Sequence, residues 1–365
     1  MLIQSPHAKL VAVQQVTTLN KGRSTPGIDS YIAISASQKM KMARNLNING
    51  KANTIKRAWI PKPGKIEKRP LGIPTIQDKA KQALCKLALE PEWEAKFEPN
   101  SYGSRPGRKP QDAIEAIFLN LHHHKDKYVY DADILKCFER INHGLLLKKL
   151  NTFPFLERQV KAWLKVGIFD ELANEAKTSL PTMGTPQGGI ISPLLSNIAL
   201  NGLEFHLLDY VSKLKIKPNP NSARGRKTKQ NALGFVRYVD DILILHENEE
   251  IMKLLIEEIK QWLATIGLEI SEDKTKLRKA SQSFDYLGFS IILVKRHNRM
   301  RIKISPSKKN KKAIVDKIST VISRNKSVSS YKLIYKLRPS LLGWGNYFKY
   351  CECSKTFQAI DNILY

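Results

Sequence analysis

Acidic side chains are scarce in this sequence: 33 Asp and Glu stand against 61 Lys and Arg, leaving a formal charge of +28 and a pI near 9.9. Such an excess repels itself unless a polyanion neutralises it, so nucleic acid is the implied partner. A basic protein held at a membrane surface would need an apolar-faced amphipathic helix or a lipidation signal, and the sequence offers neither. Cysteine is also rare. Cys85, Cys137, Cys351 and Cys353 include no Cys-x-x-Cys pair and have no histidine at zinc-ligand spacing. That pattern suggests neither a disulfide framework nor a structural zinc and fits a reducing compartment. No apolar run approaches the ~18 residues of a membrane span, and MLIQSPHAKLVAVQQV lacks the n-region and apolar stretch of a secretory signal. The expectation is a protein neither exported nor membrane-spanning. His122, His123 and His124 form a run without further ligands and read as a polar turn.

What is present is enough for a sizeable core. With 365 residues, 42% of them hydrophobic, two or three packed subdomains are expected. Residues 1 to 55 read as short helical pieces around the breakers Asn20-Lys21-Gly22 and Thr25-Pro26-Gly27. AWIPKPGKIEKRPLGIPT (58 to 75) reads as a basic β-hairpin running into the helix IQDKAKQALCKLALEPEWE. YVYDADIL (128 to 135) reads as a strand, followed by a helix around GLLLKKL. GFVRYVDDILIL (234 to 245) suits two short strands with an acidic pair at the tip, and 249 to 267 shows helical periodicity ending at Gly267. Helices mixed with antiparallel strands, without a βαβ repeat, indicate an α+β class. Residues 212 to 231 and 295 to 312 are basic and carry Pro, Gly or Asn; they read as exposed loops suited to phosphate contact.

The chemistry concentrates in two acidic pairs. Neighbouring residues on a strand point to opposite faces, so Asp240 and Asp241 can serve one site only where a turn breaks the alternation. Two adjacent carboxylates repel each other and call for a divalent cation; with oxygen ligands only, that is Mg²⁺. Asp131 and Asp133, two apart on another apolar strand, share a face, and only one of them need enter the site. Taken alone, each pair reads as surface turn residues, where Asp is commonplace.

In order along the chain, these segments resemble the motifs of reverse transcriptases. FVRYVDDILIL is similar to the Tyr-x-Asp-Asp box, VYDADILKCFERINH to the first palm motif, and MGTPQGGIISPLLSNIALNGLE (183 to 204) to the nucleotide-site motif. IPKPGKIEKRPLGIPTIQDKAKQ and SYGSRPGRKPQDAI resemble fingers motifs; LEISEDKTKL and FDYLGFSI resemble later palm motifs. YKLRPSLLGWGNYFKYCECSKTF resembles the maturase, or thumb, region of group II intron proteins.

The resemblance implies a right-hand polymerase fold: an N-terminal segment and fingers over 1–125, a palm over 126–290 and a helical thumb over 291–365. It implies an RNA-directed DNA polymerase that extends a DNA or RNA primer with dNTPs on group II intron RNA, with maturase assistance to splicing. Two Mg²⁺ ions would be held by Asp133, Asp240 and Asp241. Lys62 and Arg69 match positions contacting the triphosphate. Phe138 matches the residue that excludes a 2′-hydroxyl, Gln187 and Gly188 match positions beside the nucleotide, and Lys274 matches a lysine that assists pyrophosphate departure. Glu139 stands where the family usually has Asp, and Val239 where Ala is commoner. Family members are commonly extended at both ends, so a shortened member is expected. The other readings are an RNA-binding maturase without DNA synthesis and a domesticated or defence reverse transcriptase. A bacterial cytoplasm or an organelle, mitochondrion or plastid, fits this family, as does a homodimer.

Overall fold

The computed structural model describes residues 2–61, 68–122, 126–170, 177–219, 222, 225–297 and 299–364. The N-terminal module begins with helix α1 (Pro6–Gln14), which carries Pro6 at its first turn, and continues through a π-turn to helix α2 (Ala36–Asn45). Ser35 caps α2 reciprocally: its Oγ accepts from the Gln38 amide, and the Gln38 side chain accepts from the Ser35 amide. Strands β1 (Ile55–Pro61) and β2 (Lys68–Ile73) form the expected hairpin, in register from Lys56↔Ile73 to Pro61↔Lys68. Lys62 falls outside the described residues, as do His123 and His124. Helix α3 (Ile76–Glu94) starts where the Thr75 hydroxyl accepts from the Asp78 amide, and most of its first half is buried. Helix α4 (Pro110–Leu121) follows.

The centre of the molecule is a second sheet. The chain runs through strand β3 (Tyr128–Asp133), helices α5 (Cys137–Arg140), α6 (His143–Leu150) and α7 (Pro154–Leu164), and short strands β4 (Ile168–Asp170) and β5 (Lys177–Ser179). Then come helices α8 (Ser192–Leu200), α9 (Leu203–Lys213) and α10 (Arg226–Ala232), the hairpin β6 (Gly234–Tyr238) and β7 (Asp241–His246), helix α11 (Glu249–Thr265) and strand β8 (Lys276–Lys279). The central sheet has the order β6-β7-β3-β8, with every pair antiparallel. Both faces are covered. Tyr130, Ala132, Ile242 and Ile244 bury into one core, while Val129, Leu243 and Leu245 bury into another shared with α4. That double burial is why ILIL is apolar throughout instead of alternating. β4 and β5 join the first hairpin in a sheet of order β2-β1-β4-β5, so Ile168 and Phe169 pair with Ile55 and Lys56 of β1.

The basic segment 295–312 is not a loop. Strand β9 (Phe284–Tyr286) is followed by a hairpin of β10 (Phe289–Arg296) and β11 (Arg299–Pro306), and then by helix α12 (Lys308–Ser323). On β11, Arg299, Arg301 and Lys303 are exposed while Met300, Ile302 and Ile304 pack on the second core, an ordinary half-buried strand. The expected palm boundary at 290 therefore falls inside β10. Residues 226–231, read as loop, belong to α10, where Lys229 is tied to the carbonyls of Ser212 and Leu214. Helices α13 (Ser330–Phe348) and α14 (Ser354–Leu364) complete a small helical unit around Ile314, Ile318, Leu337 and Ile360. Among the described residues no helix is long and apolar enough to cross a membrane. The four cysteines are free.

Candidate active site

The β6–β7 hairpin closes on Tyr238↔Asp241, leaving Val239 and Asp240 as its two-residue turn. Val239 takes φ +60°, a left-handed conformation that a β-branched residue adopts only under constraint. The turn breaks the strand alternation as the two carboxylates require. On the neighbouring strand Asp133 lies directly opposite Asp241. Asp133 and Asp240 share the wall of a cleft of about 780 Å³ with Arg69, Phe138, Gln187 and Lys274. Asp241 sits one step behind that wall, beside Asp133, with its carbonyl accepting from the Tyr286 hydroxyl at 3.2 Å.

The acids perturb one another. Burial raises the carboxyl of Asp240, Asp133 adds to the effect, and Arg69 and Lys274 oppose it. Burial, followed by repulsion from Asp240, Asp133 and Asp131, pushes Asp241 up to about 7. Asp131 is raised to about 6, chiefly by burial, with Arg278 opposing. The Lys274 ammonium donates to both oxygens of Asp133, each at 2.9 Å. Among the described residues, no three acidic, histidine or cysteine side chains converge closely enough to grip an ion by themselves. The donors still suit Mg²⁺, which commonly takes one or two carboxylates and completes its shell with water and substrate phosphate.

The opposite wall is built from the first hairpin and the loop before α8. Arg69 Nε donates to Gln187 Oε1 at 2.8 Å, and Gln187 Nε2 donates to Glu139 Oε1 at 3.1 Å, which straps the hairpin to α5. The Gly72 amide donates to the Gln187 carbonyl at 2.5 Å. Gly188, at φ +114°, faces this contact, and a Cβ there would overlap the Gly72 carbonyl oxygen. The missing Cβ there gives the Gly72 backbone its clearance. Phe138 is half-buried in the cleft wall, its carbonyl accepting from the Thr185 amide. Two wall residues, Arg57 and Trp59, had no motif to announce them. Trp59 donates to Asp170 at 3.2 Å, and Arg57 lies 3.7 Å from the same carboxylate. Trp59 and Arg57 alternate along β1, a period-2 cue.

Comparison with known proteins bears on the whole chain. The family model described as reverse transcriptase (RNA-dependent DNA polymerase) matches residues 60–291. The model of the group II intron maturase-specific domain matches 311–365, and that of the N-terminal domain of reverse transcriptase matches 1–46. Protein YkfC of Escherichia coli is 30% identical over 91% of this chain and 90% of its own length. Group II intron-encoded protein LtrA of Lactococcus lactis is 29% identical over 78% of this chain, which spans 55% of that relative. Maturase-like protein 1 of Euglena gracilis is 26% identical over 96% of the chain and 70% of its own length.

Proposed function

The chain belongs to the group II intron reverse transcriptase and maturase family, and from that premise we propose that it is an RNA-directed DNA polymerase copying group II intron RNA. The observation that carries the proposal is the placement of Asp133 and Asp240 on one cleft wall with Arg69 and Gln187 facing them, Asp241 lying behind. A polymerase must activate a primer 3′-hydroxyl and neutralise a triphosphate as pyrophosphate leaves. Two bound Mg²⁺ ions would supply both effects. Asp133 and Asp240 would hold them, with Asp241 supplying negative charge from behind. Arg69 offers a fork of donors to the triphosphate once it exchanges Gln187 for phosphate, and Lys62, next in sequence after β1, supplies a point charge. Lys274 must release Asp133 to reach the departing pyrophosphate. Phe138, which lines the same cleft, would meet the sugar of the incoming nucleotide and exclude a 2′-hydroxyl.

The match of 311–365 to a maturase domain, together with the charge of +28, supports binding of intron RNA and help with its splicing as a companion role. Asp240→Ala is the direct test. It should abolish primer extension on an RNA template while RNA affinity, measured by filter binding, stays within about twofold of the parent. Undiminished extension would sink the assignment. Splicing retained by the same variant would show that the two roles separate.

A further inference from the structure

Arg237 is the one charge in the apolar run FVRYV, and it is fully buried. Nothing in the proposed reaction uses it directly. Its guanidinium Nη1 donates to the Val239 carbonyl at 3.1 Å, the carbonyl of the peptide that leads into Asp240, and to Asn197 Oδ1 at 3.1 Å. Nη2 lies 3.7 Å from Glu98 Oε2, and neither side chain is exposed.

Each of these partners is itself held. Glu98 Oε1 accepts from the amides of Gly202 and Glu204, both at 2.7 Å, at the start of α9. Asn197 Nδ2 donates to the Gly103 carbonyl at 2.8 Å. The Arg237 backbone bonds to Asn100 and Tyr102. Arg105 fixes the same segment by donating to the carbonyls of Glu98 and Ser101. Gly103 then lies against the turn so closely that a Cβ there would come within 2.5 Å of Val239 N. Val239 is thus pinned from two sides in a backbone conformation it does not prefer. A buried ion pair at 3.7 Å is a poor device for stability alone, since the desolvation cost rivals the attraction.

We propose that Arg237, backed by Glu98 and Asn197, is a positioning residue: it holds the Val239 peptide in its left-handed turn so that Asp240 presents its carboxylate to the metals. The proposal rests on the metal site inferred above. It predicts that metal affinity, and not only turnover, depends on a side chain that touches no metal. A lysine at 237 keeps the charge but replaces the two-pronged guanidinium, whose Nη1 reaches Val239 and Asn197 while Nη2 faces Glu98, with a single ammonium that cannot hold both sides at once. A glycine at 239 adopts the turn without being held.

The test is Mn²⁺ binding followed by electron paramagnetic resonance on the full chain without nucleic acid, with circular dichroism as the check on folding. Arg237→Lys should weaken Mn²⁺ binding about tenfold. Adding Val239→Gly to that variant should bring it back to within about twofold of the parent. Folded Arg237→Lys protein that binds Mn²⁺ as the parent does overturns the proposal, and so does a double variant that stays as weak as the single one. Should Arg237→Lys fail to fold, Gly103→Ala disturbs the same turn without removing a charge, and unchanged Mn²⁺ binding in that variant overturns the proposal equally. A parent protein that binds no Mn²⁺ overturns the metal site itself, and this inference with it.

Discussion

At the first position of β7, Asp241 carries a cost that the metal-free protein cannot relieve. Its carboxyl is pushed up to about 7 by burial and by three neighbouring acids, against 3.8 for the free group. Between about pH 4 and pH 7 the folded state therefore binds more protons than the unfolded state, and stability falls as pH rises through that window. Asp241→Asn, which cannot ionise, should stabilise the protein in EDTA at pH 8 by on the order of 2 kcal/mol and leave it unchanged below about pH 4. Urea denaturation at both values checks this. An equal gain at each pH would show that the charge is not the cause. Phe138, also legible from its motif, is expected to act by shape. Phe138→Ala should lower discrimination against ribonucleotides about 10- to 100-fold, read as the ratio of kcat/KM values for dNTP and rNTP. Lys274 illustrates the limit of such reading, because its partner Asp133 lies 141 residues away and no local pattern joins them.

Among the elements, the loop before α8 decides how the first hairpin meets the central sheet. The Gln187 carbonyl accepts from the Gly72 amide, and the Gln187 side chain bridges Arg69 and Glu139. Gly188→Ala puts a Cβ into the Gly72 carbonyl at a positive φ. It should cost about 1–3 kcal/mol of stability and raise KM for dNTP more than it lowers kcat. Thermal unfolding and steady-state extension separate the two effects, and an unchanged KM would mean that the strap does not shape the nucleotide site. The β6–β7 hairpin was readable in advance because two short apolar runs flank a polar pair. The hairpin β10–β11 was not, although RMRIKI alternates cleanly. Its charges suggested a loop, and only packing against Phe289 and its neighbours shows that Met300, Ile302 and Ile304 have somewhere to go.

For the molecule as a whole, the charge of +28 makes ionic strength the main control on RNA binding. If about six phosphates are contacted, affinity should fall about 10³-fold between 50 and 200 mM salt. Replacing Arg299, Arg301 and Lys303 together by Gln should flatten the plot of log affinity against log salt by about three units. An unchanged slope would take the exposed face of β11 out of the RNA path.

The sequence by itself determined the fold class, the acidic turn at Asp240 and the polyanionic partner, because each depends on composition or on patterns a few residues long. Tertiary structure alone decided that Lys274 holds Asp133, that Gly188 makes room for Gly72 and that Arg237 stands behind Val239. Those contacts join segments separated by two to more than a hundred residues, and in each the decisive quantity is a distance or a backbone angle that appears only after the sheets and helices have packed.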